Sequence, residues 1–133
     1  MFDPVINGLP AFASFFATAV LMLAAFVALY VAVTPYSEIR LIRDGNEAAA
    51  VSLGGAVIGF ALPLAVSVAV SHNLYAMIGW GAVAGVVQLF VFIVARLALP
   101  RINESIPQGR LASGIFLALL SIAVGILNAG CIA

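Results

Sequence analysis

Four long apolar stretches separated by short polar breaks organise this chain. A bilayer core about 30 Å thick needs about 20 apolar residues in helical form. Residues 13–33, 48–70, 77–99 and 112–132 each meet that length. Helices are required, because hydrocarbon offers backbone amides no partners and a barrel would show shorter alternating segments. The fold expected is all-α integral membrane, one membrane domain over 1–133 with four transmembrane helices.

The connection after the first stretch reads TPYSEIRLIRDGNEAAA. Thr34 can cap, Pro35 suits a first helical position, and Gly45 suits a left-handed stop, which together predict a short interfacial helix. Asn46 then caps the second span, with Glu47 in its first turn where the helix dipole favours an anion. The connection before the last stretch, LPRINESIPQGRLASG, is punctuated similarly. Superposing Gly45 on Gly109 gives an offset of 64 (109 − 45) that also pairs Ala48 with Ala112, Leu53 with Leu117 and Ile58 with Ile122. That pattern predicts two tandem two-helix repeats, parallel because each holds an even number of spans.

Composition agrees with the pattern. Of 133 residues, 65% are hydrophobic and 8% charged, against roughly a quarter charged in soluble domains. Five acidic residues balance five arginines, so nucleic acid is excluded as a partner and the lipid bilayer is expected as the surroundings. Charge placement is more informative than charge balance. Arg40 and Arg43 lie in the first connection, and Arg96, Arg101 and Arg110 flank or occupy the last, so all share one side. The positive-inside rule makes that side cytoplasmic and puts both termini in the periplasm or outside the cell. Trp80 and Tyr75 then mark the outer interface, and Tyr30 and Tyr36 the inner one. Met1–Pro10 lacks a basic region, so no cleaved leader is expected and the first helix is retained. The lone Cys131 cannot form an internal disulfide, and no Cys or His spacing fits a metal, so no cofactor is expected.

Membrane helices associate through small residues, and each span carries a row of them. Ala24, Ala28 and Ala32 form one; Ser52, Gly55 and Gly59 another; Gly81 and Gly85 a third; Gly114, Ala118, Ser121, Gly125 and Asn128 the longest. Helix packing is the preferred reading over a pore wall. Gln88, on the face of Gly81, Gly85, Phe92 and Ala95, points at a neighbouring helix, and Asn128 lies on the small-residue face of the last span. Interhelical hydrogen bonds are preferred over ligand contact for both. Pro63 interrupts the second span and is a hinge candidate, although Ser67 and Ser52 could satisfy the freed backbone in a static bundle.

No charged residue occupies the middle of a span, which disfavours proton-coupled transport by this chain alone. Nucleophilic and metal-assisted catalysis also lack players, so the chain is read as not an enzyme. Glu38, Arg40, Arg43, Asp44, Glu47, Glu104 and Arg110 gather at the loop face, read as a solvated rim in preference to a partner or headgroup site.

These segments resemble the YjfL-like family of small bacterial inner-membrane proteins, a domain of unknown function. The resemblance rests on EIRLIRDGNEAAA from Glu38 to Ala50, GFALP from Gly59 to Pro63, Trp80, Gln88, and SIAVGILNAGC from Ser121 to Cys131. The family pattern has G-N-x-A-A before the second span, here Gly45, Asn46, Ala48 and Ala49. Before the fourth it has Q-G-N-x-A-x-G, here Gln108, Gly109, Arg110, Ala112 and Gly114, with Arg110 in place of asparagine. The resemblance implies a bacterial inner membrane and four helices in two tandem pairs, with no activity attached. The leading reading is a non-enzymatic membrane component that assembles with itself or with partner membrane proteins through its small-residue faces. The alternative is a small oligomeric channel or transporter with a polar path at Gln88 and Asn128.

Overall fold

The structure, a computed structural model, describes residues 3–133. Met1 and Phe2, part of the leader question, lie outside the described residues. Six helices follow in order: α1 (Asp3–Val33), α2 (Glu38–Arg43), α3 (Glu47–Val70), α4 (Leu74–Ala98), α5 (Ile102–Ser105) and α6 (Leu111–Ile132). Of these, α1, α3, α4 and α6 are long and apolar enough to cross a membrane. The end holding α2 and α5 is called the loop end below.

Three spans start and stop within a few residues of the sequence reading, whereas α1 begins ten residues earlier (13 − 3). Hydrocarbon thickness sets a minimum helix length, not a maximum. The 31 residues of α1 extend about 46 Å at 1.5 Å per residue. Pro10 lies inside this helix without ending it, and Ser14 donates back to the Pro10 carbonyl at 3.0 Å.

The centre of the bundle is the parallel pair α3 and α6, which approach backbone to backbone. Gly55 lies against Ala118, Gly114 against the Ala48 backbone, and Gly59 against both Ser121 and Gly125. A Cβ at any of these glycines would meet atoms of the facing helix closer than van der Waals contact allows. Close approach of this kind is what small residues supply where no hydrophobic force separates helix from lipid. Against this pair lies α4, and α1 sits on α3 and α4. Gly81 receives the Met22 side chain, and Gly85 lies under Phe60 and Phe26. The Phe26 and Phe60 rings stack with centroids 4.5 Å apart.

The expectation that small-residue faces serve assembly therefore needs correction for three of the four rows. Those on α3, α4 and α6 are consumed within the chain, and only Ala24, Ala28 and Ala32 on α1 face outward.

The two connections stop their short helices in the same way. Gly45 (φ 91°) and Gly109 (φ 77°) adopt left-handed conformations, donating to Ile42 and Ile106 at 3.0 and 2.9 Å. The next amides, of Asn46 and Arg110, reach back to Leu41 and Ser105 at 2.9 and 3.0 Å. This is the paired-bond stop that glycine permits, at the offset of 64 (109 − 45) noted above.

Two local expectations fail. Thr34 and Pro35 lie in bends before α2, whose N-cap is Ser37. The Thr34 hydroxyl donates to the Val31 and Tyr36 carbonyls instead of capping, at 2.7 and 3.1 Å. Around Pro63, neither serine repairs the ladder: Ser67 donates to Leu64 and Ser52 pairs with Tyr30. Pro63 lacks the N–H that would bond the Gly59 carbonyl. That carbonyl lies against Gly125 of α6, in the space that a Cβ there would occupy. The proline stands buried inside one continuous helix.

Candidate functional site

Charge belongs outside a bilayer core, yet two ionisable groups lie buried at the loop end: Glu38 at 0% exposure and Arg96 at 6%. Arg96 occupies the last turn of α4, on the same face as Gln88 and Phe92. Its guanidinium lies over the Phe92 ring at 4.3 Å and the Tyr36 ring at 5.0 Å, an arrangement that stabilises a partly desolvated cation. One terminal nitrogen donates to Asn103 Oδ1 at 2.7 Å and the other to the Tyr36 hydroxyl. Arg96 thus ties both connections to α4, the first through Tyr36 and the second through Asn103.

Glu38 begins α2, and its carboxylate is 3.8 Å from Arg96 Nη2. Neither carboxylate oxygen meets a donor at full hydrogen-bond geometry, although the Tyr36 hydroxyl is near enough to favour the ionised form. Burial pushes this carboxyl up to about 7, with the Arg96 charge and the Tyr36 hydroxyl pulling the other way. The Tyr36 hydroxyl is itself pushed up to about 12, first by burial, against the hydrogen bond from Arg96. Below the pair, the Tyr30 hydroxyl meets Ser52 Oγ at 3.1 Å, and its ring packs on Phe92 with centroids 4.2 Å apart.

The reading of Glu38 as part of a solvated rim is corrected: six-residue α2 folds back on the bundle and carries Glu38 inside. Arg40, Arg43, Asp44, Glu47, Glu104 and Arg110 do remain exposed. Tyr30 and Tyr36, expected as inner-interface aromatics, serve this cluster instead. Sequence reasoning took Arg96 only as a mark of membrane sidedness and Ser52 only as a packing or backbone partner, and it did not single out Asn103. The available signal was the helical spacing of Gln88, Phe92 and Arg96, which puts the arginine on the inward face.

A second polar group lies deeper. Gln88 Nε2 donates to the Ser121 carbonyl at 3.1 Å, and Asn128 Nδ2 to the Ala84 carbonyl at 3.2 Å. The two amides face each other at 3.4 Å. Both therefore cross-link α4 and α6. At the loop end, Asn46 caps α3 through Ala49 N–H at 2.9 Å and donates across to the Ile106 carbonyl at 2.9 Å. Arg110, its counterpart at α6, makes no side-chain cap bond.

The profile of the Domain of Unknown Function DUF350 matches residues 4–132. The chain belongs to the DUF350 family. Within DUF350, it is 33% identical over 127 residues to the UPF0719 inner membrane protein YjfL of Escherichia coli K12, covering 96% of each chain. It is 30% identical over 120 residues to the UPF0719 transmembrane protein YshE of Bacillus subtilis, covering 89% of this chain and 90% of that one. No solved structure matches. With four apolar helices of spanning length and relatives named as membrane proteins, this DUF350 member is an integral membrane protein.

Proposed function

We propose that the chain is a non-enzymatic membrane component that assembles through α1 and holds its loop end in the cytoplasm. The supporting observation is how unevenly the helices are used. Three small-residue rows are spent on α3, α4 and α6, whereas Ala24, Ala28 and Ala32 stay exposed on a 31-residue helix whose buried residues are Phe26 and Tyr30. An outward small-residue row lets a second copy approach closely in lipid. The arginines at the loop end support a cytoplasmic placement, with both termini on the opposite side of the inner membrane.

The channel alternative loses support, because Gln88 and Asn128 bond each other and the carbonyls of neighbouring helices. The matching geometry of the two connections supports reading the chain as tandem halves. Single cysteines at Ala24, Ala28 and Ala32 in a Cys131→Ser background test the assembly. Oxidation should give dimers from these positions and few from Leu29, exposed about 100° round the helix from Ala28. Equal cross-linking at Leu29, or monomers throughout, overturns the α1 interface. Ion or solute flux in proteoliposomes that Gln88→Leu abolishes with assembly intact would favour the channel.

A further inference from the structure

The polar cluster that holds Glu38 draws on several elements, with Tyr30, Tyr36 and Arg96 acting on the carboxyl itself. Tyr30 comes from α1, Tyr36 from the bend before α2, Ser52 from α3, Arg96 from α4, and Asn103, on the far side of Arg96, from α5. Arg96 has neutral partners of its own: two ring faces, a phenol oxygen and an amide oxygen. Glu38 is less well served: neither buried oxygen meets a donor at full hydrogen-bond geometry, the Arg96 cation stands 3.8 Å away, and the pull of Arg96 and the Tyr36 hydroxyl toward the ionised form is outweighed by burial. A buried carboxylate in that position is relieved either by a proton or by moving to water. Movement is available, because α2 is six residues long, lies between the bends at 34–36 and the left-handed Gly45, and is held by partly buried Leu41 and Ile42.

We infer that Glu38 is a proton-binding site that governs the docking of α2: protonated, it keeps α2 seated on the bundle, and ionised, it lifts α2 toward water. Neither Ser52 nor Asn103 titrates, phenols ionise at roughly 10 or above, and arginine stays charged. Glu38 is therefore the group in the cluster that changes charge near neutrality. Its carboxyl ionises near 7 in the seated state and near its ordinary 4.5 when exposed. Docking is then strongest at acid pH and weakens as pH rises through about 7. The inference does not depend on the assembly reading.

The full chain, labelled with carbon-13 glutamate and reconstituted in phosphatidylcholine and phosphatidylglycerol vesicles, is titrated by infrared spectroscopy. Its glutamates are Glu38, Glu47 and Glu104. A protonated-carboxyl band should persist to near-neutral pH in the native chain, in Glu47→Gln and in Glu104→Gln, and be lost in Glu38→Gln. In a Cys131→Ser background, maleimide labelling of Ile42→Cys is compared with that of exposed Arg43→Cys. The ratio should rise several-fold between about pH 5 and about pH 8 and stay flat with Glu38→Gln added. A Glu38 band that titrates in the ordinary carboxylate range, or a flat ratio in the chain retaining Glu38, overturns the inference. If Glu38→Gln fails to insert, the native titration and the Ile42 ratio still decide.

Discussion

Gly125 shows how much a single atom matters where two backbones touch. Its missing Cβ makes room for the Gly59 carbonyl that Pro63 leaves without a donor. Gly125→Ala should therefore lower stability by about 1–3 kcal/mol, the usual cost of overpacking, whereas Gly130→Ala, with open space around it, should change little. Unfolding in mixed detergent and dodecyl sulfate micelles reads both. Gln88→Leu removes the bond to Ser121 and the contact with Asn128, a loss of about 0.6–2 kcal/mol in a membrane protein. Adding Asn128→Leu should cost less than it does alone, because the two amides share one network. Glu38 gives folding stability a pH dependence. The folded state holds its proton between the ordinary 4.5 and about 7, so the contribution is full below 4.5 and lost as pH rises through 7. The ceiling of that loss is about 3 kcal/mol at roughly 1.4 kcal/mol per pH unit, and Glu38→Gln should flatten the profile.

At the scale of elements, the two loop-end connections use one stop but different caps. Asn46 caps α3 and also bonds the Ile106 carbonyl of the other connection, while Arg110 leaves the α6 start uncapped by a side chain. Asn46→Ala should cost about 1 kcal/mol for the cap, with an added loss from the cross-connection bond. Arg110→Asn should add a cap and stabilise by about 0.5–1 kcal/mol. Both are measurable as shifts in the same unfolding titration, and an Arg110→Asn chain no more stable than the parent would mean that asparagine does not cap this site. Helices and stops were legible from local signals because caps and left-handed glycines act within one turn. The fold-back of α2 was not, since a six-residue helix carries no periodicity that says which face is inward.

For the whole molecule, the asymmetry between α1 and the other spans decides what is left for contacts outside the chain. Thiol labelling of Cys131, exposed at the C-terminus, should occur from outside intact cells, and labelling of Arg43→Cys in a Cys131→Ser background only after permeabilisation. The reverse result would invert the membrane orientation. What the sequence determined by itself was the solvent and the helices: apolar length and sparse charge admit one medium, and that medium admits helices at these lengths. It also marked Gln88 and the glycine rows as inward, because helical spacing fixes which residues share a face. The tertiary structure alone decided which face meets which. It spent three small-residue rows inside the chain, turned the Gly59 carbonyl onto Gly125, and enclosed Glu38 beside Arg96. Spacing along one helix carries no information about the neighbour it meets, and a charge near the end of a span is exposed or buried according to what folds over it.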